Sequence, residues 1–200
     1  MNFLAHIYLS GNDEMVQIGN FIADGIKGKR YETYPRNIQK GILLHRSIDT
    51  FTDSHPIVKL STRKLHARFS HYSSVIIDVF YDHFLAKNWT EYSQEPLADY
   101  VERFYQLLHT HYDILPLRIR HMIPPMLREN WLLSYASKEG IEHILFQMSK
   151  RVKHPIHMDW AMEELTQYYS DFQNEFNLFF SEIQLHCQER LMALEMELKK

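Results

Sequence analysis

Two hundred residues with 45% apolar and 24% charged side chains are enough to close one hydrophobic core, so a single domain over 1–200 is expected. No apolar run reaches the roughly 18 to 20 residues that cross a bilayer, and Met1-Asn2-Phe3-Leu4-Ala5-His6 lacks the basic leader and cleavage site of a secretory signal; a cytoplasmic protein with no membrane partner is expected. The net charge of −3 gives no general attraction to nucleic acid, and the single cysteine, Cys187, can form no intrachain disulfide and reads as a buried or half-buried thiol without catalytic duty.

No run alternates with period two between hairpin signals, so strands are not expected. In chain order, apolar spacing predicts a helix over about 14–27. Ile38, Ile42, Leu43, Ile48 and Phe51 then form a stripe between Pro35 and Pro56, predicting a helix over about 36–54. A further helix is expected over about 57–68. Val75, Ile76, Val79, Phe80, Phe84 and Leu85 recur at three and four residues, predicting a helix over about 71–87 with Asp78 and Asp82 on its other face. Helices follow over about 94–112 and 138–151, with Pro116, Pro124 and Pro125 breaking or starting others. The last 40 residues read as one or two long helices carrying an aromatic stripe from Trp160 through Phe172, Phe176, Phe179 and Phe180 to Ile183, a pattern that argues for core packing. The class is all-α.

The densest chemical signal lies between His45 and His55. His45, Asp49 and Asp53 recur every four residues and share one helix face, with Cβ atoms about 5 to 6 Å apart, close enough to reach one metal ion or one water. Asp78 and Asp82, followed by His83, repeat the arrangement on the next strong helix. Two aspartates at that spacing repel one another, and a cation relieves the repulsion. Two such faces opposed in a bundle give a mixed nitrogen and oxygen site. Asp24 stands among apolar residues in Gly19-Asn20-Phe21-Ile22-Ala23-Asp24, where a lone charge is costly, so it needs an arginine or a metal as partner. His66, His71, His109, His111, His121, His143, His154, His157 and His186 have no comparable carboxylate company and read as surface or packing residues. Phosphate-loop, Rossmann, His-Glu-x-x-His, Cys-x-x-Cys and Gly-x-Ser-x-Gly patterns are absent, which leaves metal-activated water.

Charge is unevenly spread. From Lys27 to Arg68, ten Lys or Arg stand against three acids, about +7, leaving about −10 elsewhere. A basic surface region is expected there, or else ordinary solvated helix faces.

Asn2-Phe3-Leu4-Ala5-His6, Gly19-Asn20 with Ala23-Asp24, His45-Arg46 with Ile48-Asp49, Thr52-Asp53, and Asp82-His83-Phe84-Leu85 with Trp89 together resemble the acyl carrier protein phosphodiesterase family. Weaker similarity runs on through Trp131-Leu132, Tyr135, Met148 and Arg151. The resemblance implies a bundle related to the HD phosphohydrolases, a divalent cation (Mn²⁺ first, Mg²⁺ or Fe²⁺ as alternatives), and removal of the 4′-phosphopantetheine arm from holo acyl carrier protein. It also implies a metal set of Asp24, His45, Asp49, Asp78 and Asp82, with Asn20 and Asp53 lining the site. An HD pair has His before Asp, whereas this chain has Asp82 before His83.

On that reading the metal ionises a water and polarises a phosphoryl oxygen. His6 or His83 would protonate the departing serine oxygen, because histidine alone among these groups is readily protonated near neutral pH. Arg46 would clamp the phosphate. The basic stretch, with Lys29, Arg30, Arg63 and Lys64, would attract an acidic carrier protein. Two alternatives stand beside this: an HD-like hydrolase of a small nucleotide or phosphoester, and a non-catalytic module that binds the carrier protein.

Overall fold

In the computed structural model, which describes residues 1–152 and 156–198, every regular element among the described residues is helical. In chain order these are α1 (Phe3–Tyr8), α2 (Glu14–Ile22), α3 (Arg36–Ser54), α4 (Pro56–Phe69), α5 (Ser73–Lys87), α6 (Leu97–Thr110), α7 (Leu117–Arg128), α8 (Trp131–Ser134), α9 (Lys138–Ser149), α10 (Met162–Gln167) and α11 (Tyr169–Glu197). The all-α class is thus observed, and α3 takes the expected bounds. The expected helix over 14–27 stops at Ile22 and tightens into a 3₁₀ turn, Ala23–Gly25. Pro124 and Pro125 do not break a helix but sit inside α7; the carbonyls they leave unpaired belong to Arg120 and His121, half-buried and exposed residues within reach of water. His154 lies outside the described residues.

Local chemistry sets several boundaries. Asp13 caps α2 by accepting from the Met15 and Val16 amides, and His55 caps α4 ahead of Pro56 in the first turn. The aromatic stripe of α11 is core: Phe172, Phe176, Phe179, Phe180 and Ile183 are buried, and Phe172, Phe176 and Phe179 meet Phe80, Tyr81 and Phe84 of α5 at ring centroid distances of 5.5 to 5.9 Å. Each such side chain contributes about 1.5–3 kcal/mol through burial. Trp160 departs from the stripe and is exposed, stacked on His157. Cys187 is buried as expected, its thiol pushed up to about 12 by that burial.

The contact that positions the site is the crossing of α2 and α3. A Cβ placed on Gly41 would lie 2.1 Å from the Val16 carbonyl oxygen and 2.6 Å from the Asn20 nitrogen; one on Gly19 would lie 2.2 Å from the Ile38 carbonyl oxygen. Only glycine permits backbone to approach backbone so closely, and Asn20 on α2 is thereby brought against His45, one turn after Gly41 on α3.

Folding also answers the charge asymmetry. Arg36 and Lys40 pair with Glu195 at 2.6 and 3.2 Å, Arg68 with Glu163 and Glu164 at 2.6 and 3.0 Å, and Lys64 with Glu175. Much of the basic stretch is matched by acids more than 90 residues away. Lys64, expected on a partner-facing surface, is instead half-buried against α11, with its ammonium over the Phe172 ring.

Candidate metal centre

The buried Asn20 carboxamide stands between two imidazoles. Its Nδ2 donates to the His6 carbonyl at 3.0 Å and to Ser10 Oγ at 2.9 Å, which leaves Oδ1 as the acceptor. That oxygen is 2.9 Å from His6 Nδ1 and 3.0 Å from His45 Nδ1. Both rings must therefore carry a proton on Nδ1, and they stack with centroids 4.1 Å apart. Each then turns the Nε2 lone pair toward the same carboxylates: His6 Nε2 is 3.3 Å from Asp49 Oδ1, and His45 Nε2 is 3.2 Å from Asp49 Oδ2 and 3.3 Å from Asp24 Oδ1.

Lone pairs facing carboxylate oxygens at these distances repel unless a positive charge lies between them. A proton or a metal ion meets that need, and His6, His45 and Asp49 each offer an atom within 4.8 Å of the others. Two imidazoles oriented through their far nitrogens by one amide, with carboxylates beside them, form a donor set suited to a first-row divalent ion. The group opens into a cavity of about 350 Å³ that Asp53, Asp78 and Thr52 also line. Thr52 Oγ1 is buried and has no hydrogen-bond partner among the described residues.

The family model of the acyl carrier protein phosphodiesterases matches residues 1–183. The chain belongs to this family. Curated relatives named acyl carrier protein phosphodiesterase include one from Yersinia enterocolitica, 28% identical over 95% of this chain and 99% of the relative. One from Photorhabdus laumondii is 28% identical over 90% and 91%, and one from Escherichia coli O157:H7 is 26% identical over 96% and 100%. No solved structure matches the chain. As a member of a phosphodiesterase family, the protein is a phosphoric diester hydrolase.

Several residues anticipated for the site of this phosphodiesterase stand elsewhere. Asp82 is fully buried and its carboxylate accepts from the amides of Asn2, Leu4 and Ala5 at 3.1, 2.8 and 3.3 Å, so it caps α1 from α5 rather than facing the imidazoles. His83 follows Asp78 by five residues, about 140° round the helix; its Nδ1 pairs with the Tyr135 carbonyl at 2.8 Å and its Nε2 with the Tyr169 hydroxyl at 3.2 Å. Arg46, one residue past His45, turns away by about 100° and donates to the carbonyls of Ile26 and Gly28 at 3.0 and 2.8 Å, pinning the loop after α2. Asp78 does line the cavity, but its Oδ1 accepts from the Met1 ammonium at 2.6 Å. Asp24 is exposed rather than buried, and its partner is His45, not an arginine. Two histidines thought to lack carboxylate neighbours have them: His143 is 3.6 Å from Glu129 and His157 is 3.6 Å from Asp159.

Thr52 was not anticipated, although its place three residues after Asp49 and seven after His45 puts it on the same helical face. The cap by Asp82 had no local signal, because its partners lie 77 to 80 residues away.

Without a bound ion the imidazoles divide one proton unequally. Burial lowers His6 to about 4. Burial also pulls on His45, but hydrogen bonds to Asp24 and Asp49 outweigh it and lift the ring to about 9. Burial works against ionised Asp49 too, yet hydrogen bonds from His45 and His6 hold its carboxyl well below the usual range.

The sign of the resulting pH dependence follows by linkage. The stabilisation from His45 is complete below 6.5 and disappears as pH rises towards about 9. His6 acts oppositely, since below 6.5 the unfolded chain takes up a proton that the folded ring refuses until about 4. In EDTA the melting temperature is expected to peak near pH 6.5 and to fall on both sides. Saturating Mn²⁺ should flatten the alkaline limb, because the ion replaces the proton. Thermal melts across this range check it, and an alkaline limb already flat in EDTA would speak against a shared proton.

Proposed function

We propose that this phosphodiesterase hydrolyses the bond between 4′-phosphopantetheine and the serine of holo acyl carrier protein, releasing the apo form, and that His6, His45 and Asp49, with Asp24, hold a divalent ion, Mn²⁺ in the first place and Mg²⁺ or Fe²⁺ as alternatives. The observation that carries this reading is the Asn20 oxygen fixing both Nδ1 atoms, so that two Nε2 lone pairs converge on Asp49. The names of the relatives support the substrate. A divalent ion at that place supplies Lewis acidity and lets a water ionise near neutral pH.

The chain's own residues set the rest. Asn20 holds the rings in register, and Asp82 fixes the start of α1 and with it His6. His6 acts as a ligand rather than as an acid, its Nε2 being turned to Asp49. In the reaction a water oxygen bonds to phosphorus, the bond to the serine oxygen breaks, and that oxygen takes a proton. His83 is committed elsewhere, so the proton that the attacking water gives up is the one passed to that oxygen, with Asp53 and Asp78 the further carboxylates that line its path.

Mass spectrometry of holo acyl carrier protein incubated with the enzyme and Mn²⁺ should show loss of the prosthetic arm. An intact arm under conditions in which another phosphoester is cleaved would reject this substrate in favour of a small one.

Carrier recognition belongs to the cations that folding leaves exposed. Lys29 and Arg30 lie in the 3₁₀ segment Gly28–Thr33, a few residues past Asp24, and Arg63 is exposed on α4. Reversal of Lys29, Arg30 and Arg63 to Glu is expected to lower kcat/KM on holo carrier protein by about tenfold or more, less at high salt, while a small diester is spared. Steady-state kinetics at two ionic strengths read this, and equal losses on both substrates would remove the patch from recognition.

A further inference from the structure

A second cavity, of about 390 Å³, shares Asn2, Phe3, Asp24, Val75 and Met148 with the metal-site cavity. Beyond this common wall its lining is mostly apolar: Tyr72, Met122, Trp131, Ile144, Val152 and Met158. Its polar contribution includes the Gln147–His143 pair on α9, 3.4 Å apart, and the Arg118 and Arg151 side chains. The size falls in the range of about 300–1,000 Å³ typical of small-molecule pockets.

The geometry points to this second cavity as the seat of the arm. The inference rests on the proposed reaction, in which the phosphorus lies beside His6, His45 and Asp49 and carries two organic substituents. One is a folded carrier protein, far too large to enter about 390 Å³, so it stays outside the mouth. The other is an extended arm with a gem-dimethyl group, two amides and a thiol. From a phosphorus at the metal site, the residues common to both cavities, Asp24 and Met148 among them, form the border that such an arm would cross into the second cavity. Its methyl and methylene groups match the apolar wall, and its amides match donors and acceptors of the kind that Gln147 and His143 present. Trp131 and Ile144 would therefore select for a pantetheine-like substituent, whereas the metal site acts on the diester whatever its arm.

Calorimetric titration with D-pantetheine, which carries no phosphate, tests the cavity directly. The wild-type protein should bind it, and Ile144→Trp, which fills the cavity, should weaken binding by about tenfold or more. Gln147→Trp, on a half-buried position of α9, offers the same block with little demand on the core. Circular dichroism verifies that each variant is folded. In kinetics, both variants should lose at least about tenfold more kcat/KM on holo acyl carrier protein than on bis(p-nitrophenyl) phosphate. A wild-type protein that binds no pantetheine, folded variants that bind it equally well, or equal losses on the two substrates would overturn the assignment. Failure of the reaction itself reads separately: holo carrier protein would then keep its arm even with the wild-type enzyme, while the pantetheine titration still reports on the cavity.

Discussion

Asp49→Ala is expected to reduce kcat on a phosphodiester by about 10³-fold or more, since the Lewis acidity of a held metal is worth several kcal/mol and each 1.36 kcal/mol is a factor of ten. Asp49 is the carboxylate that faces both imidazoles, one oxygen to His6 at 3.3 Å and the other to His45 at 3.2 Å. Alanine leaves two Nε2 atoms with no anionic neighbour between them, and Asp24, exposed and in contact with His45 alone, cannot replace it. Metal content should fall together with kcat. Elemental analysis after dialysis and steady-state kinetics give both numbers, and a variant that keeps its Mn²⁺ with activity within tenfold of wild type would refute the centre described above. A binding-only role for the protein predicts the same failure in another form, with no metal bound by either protein and no turnover to lose.

Gly41→Ala should force apart the two helices whose crossing positions the site. The new carbon would meet backbone atoms of Val16 and Asn20 at 2.1 and 2.6 Å, and backbone cannot step aside as a flexible side chain can. α2 and α3 must separate, at a cost of about 3 kcal/mol, the upper part of the usual range for overpacking. In a chain of this size that lowers the melting temperature by roughly 10 °C. The same separation draws Asn20 away from His45, so metal affinity should fall by about 10- to 100-fold, as when a partner that orients a ligand is lost. Gly25→Ala is the control: its Cβ would find neighbours only at 3.6 to 3.7 Å, ordinary contact distances. Calorimetric melts of the two variants, and Mn²⁺ titration of each, should separate them clearly; similar behaviour would mean that the crossing tolerates a methyl group.

Helix positions and the principal ligand face could be read in advance because both are local properties of the chain. Apolar recurrence between Pro35 and Pro56 located α3 to the residue, and four-residue spacing put His45 and Asp49 on one face, where they stand 3.2 Å apart. The ordered set of motifs from Asn2 to Trp89 likewise indicated the family that the match over residues 1–183 establishes. Asp82 shows where such reading stops. At i, i+4 from Asp78 it looked like half of a second ligand pair, yet the same spacing serves equally well for a carboxylate that caps another helix. His83, Arg46 and Lys64 differ from expectation for the same reason, each taking a partner supplied by packing: Tyr135 and Tyr169, the carbonyls of Ile26 and Gly28, and Glu175.

The amino-acid order alone established an all-helical chain with His45, Asp49 and Asp53 along one edge of its third helix, because a 3.6-residue turn relates near neighbours without reference to anything distant. Which carboxylates meet the imidazoles, which cations stay exposed, and where the second cavity opens were settled by close packing. These outcomes depend on side chains that lie tens of residues apart in sequence and become neighbours only when helices such as α2 and α3 come into backbone contact at Gly19 and Gly41.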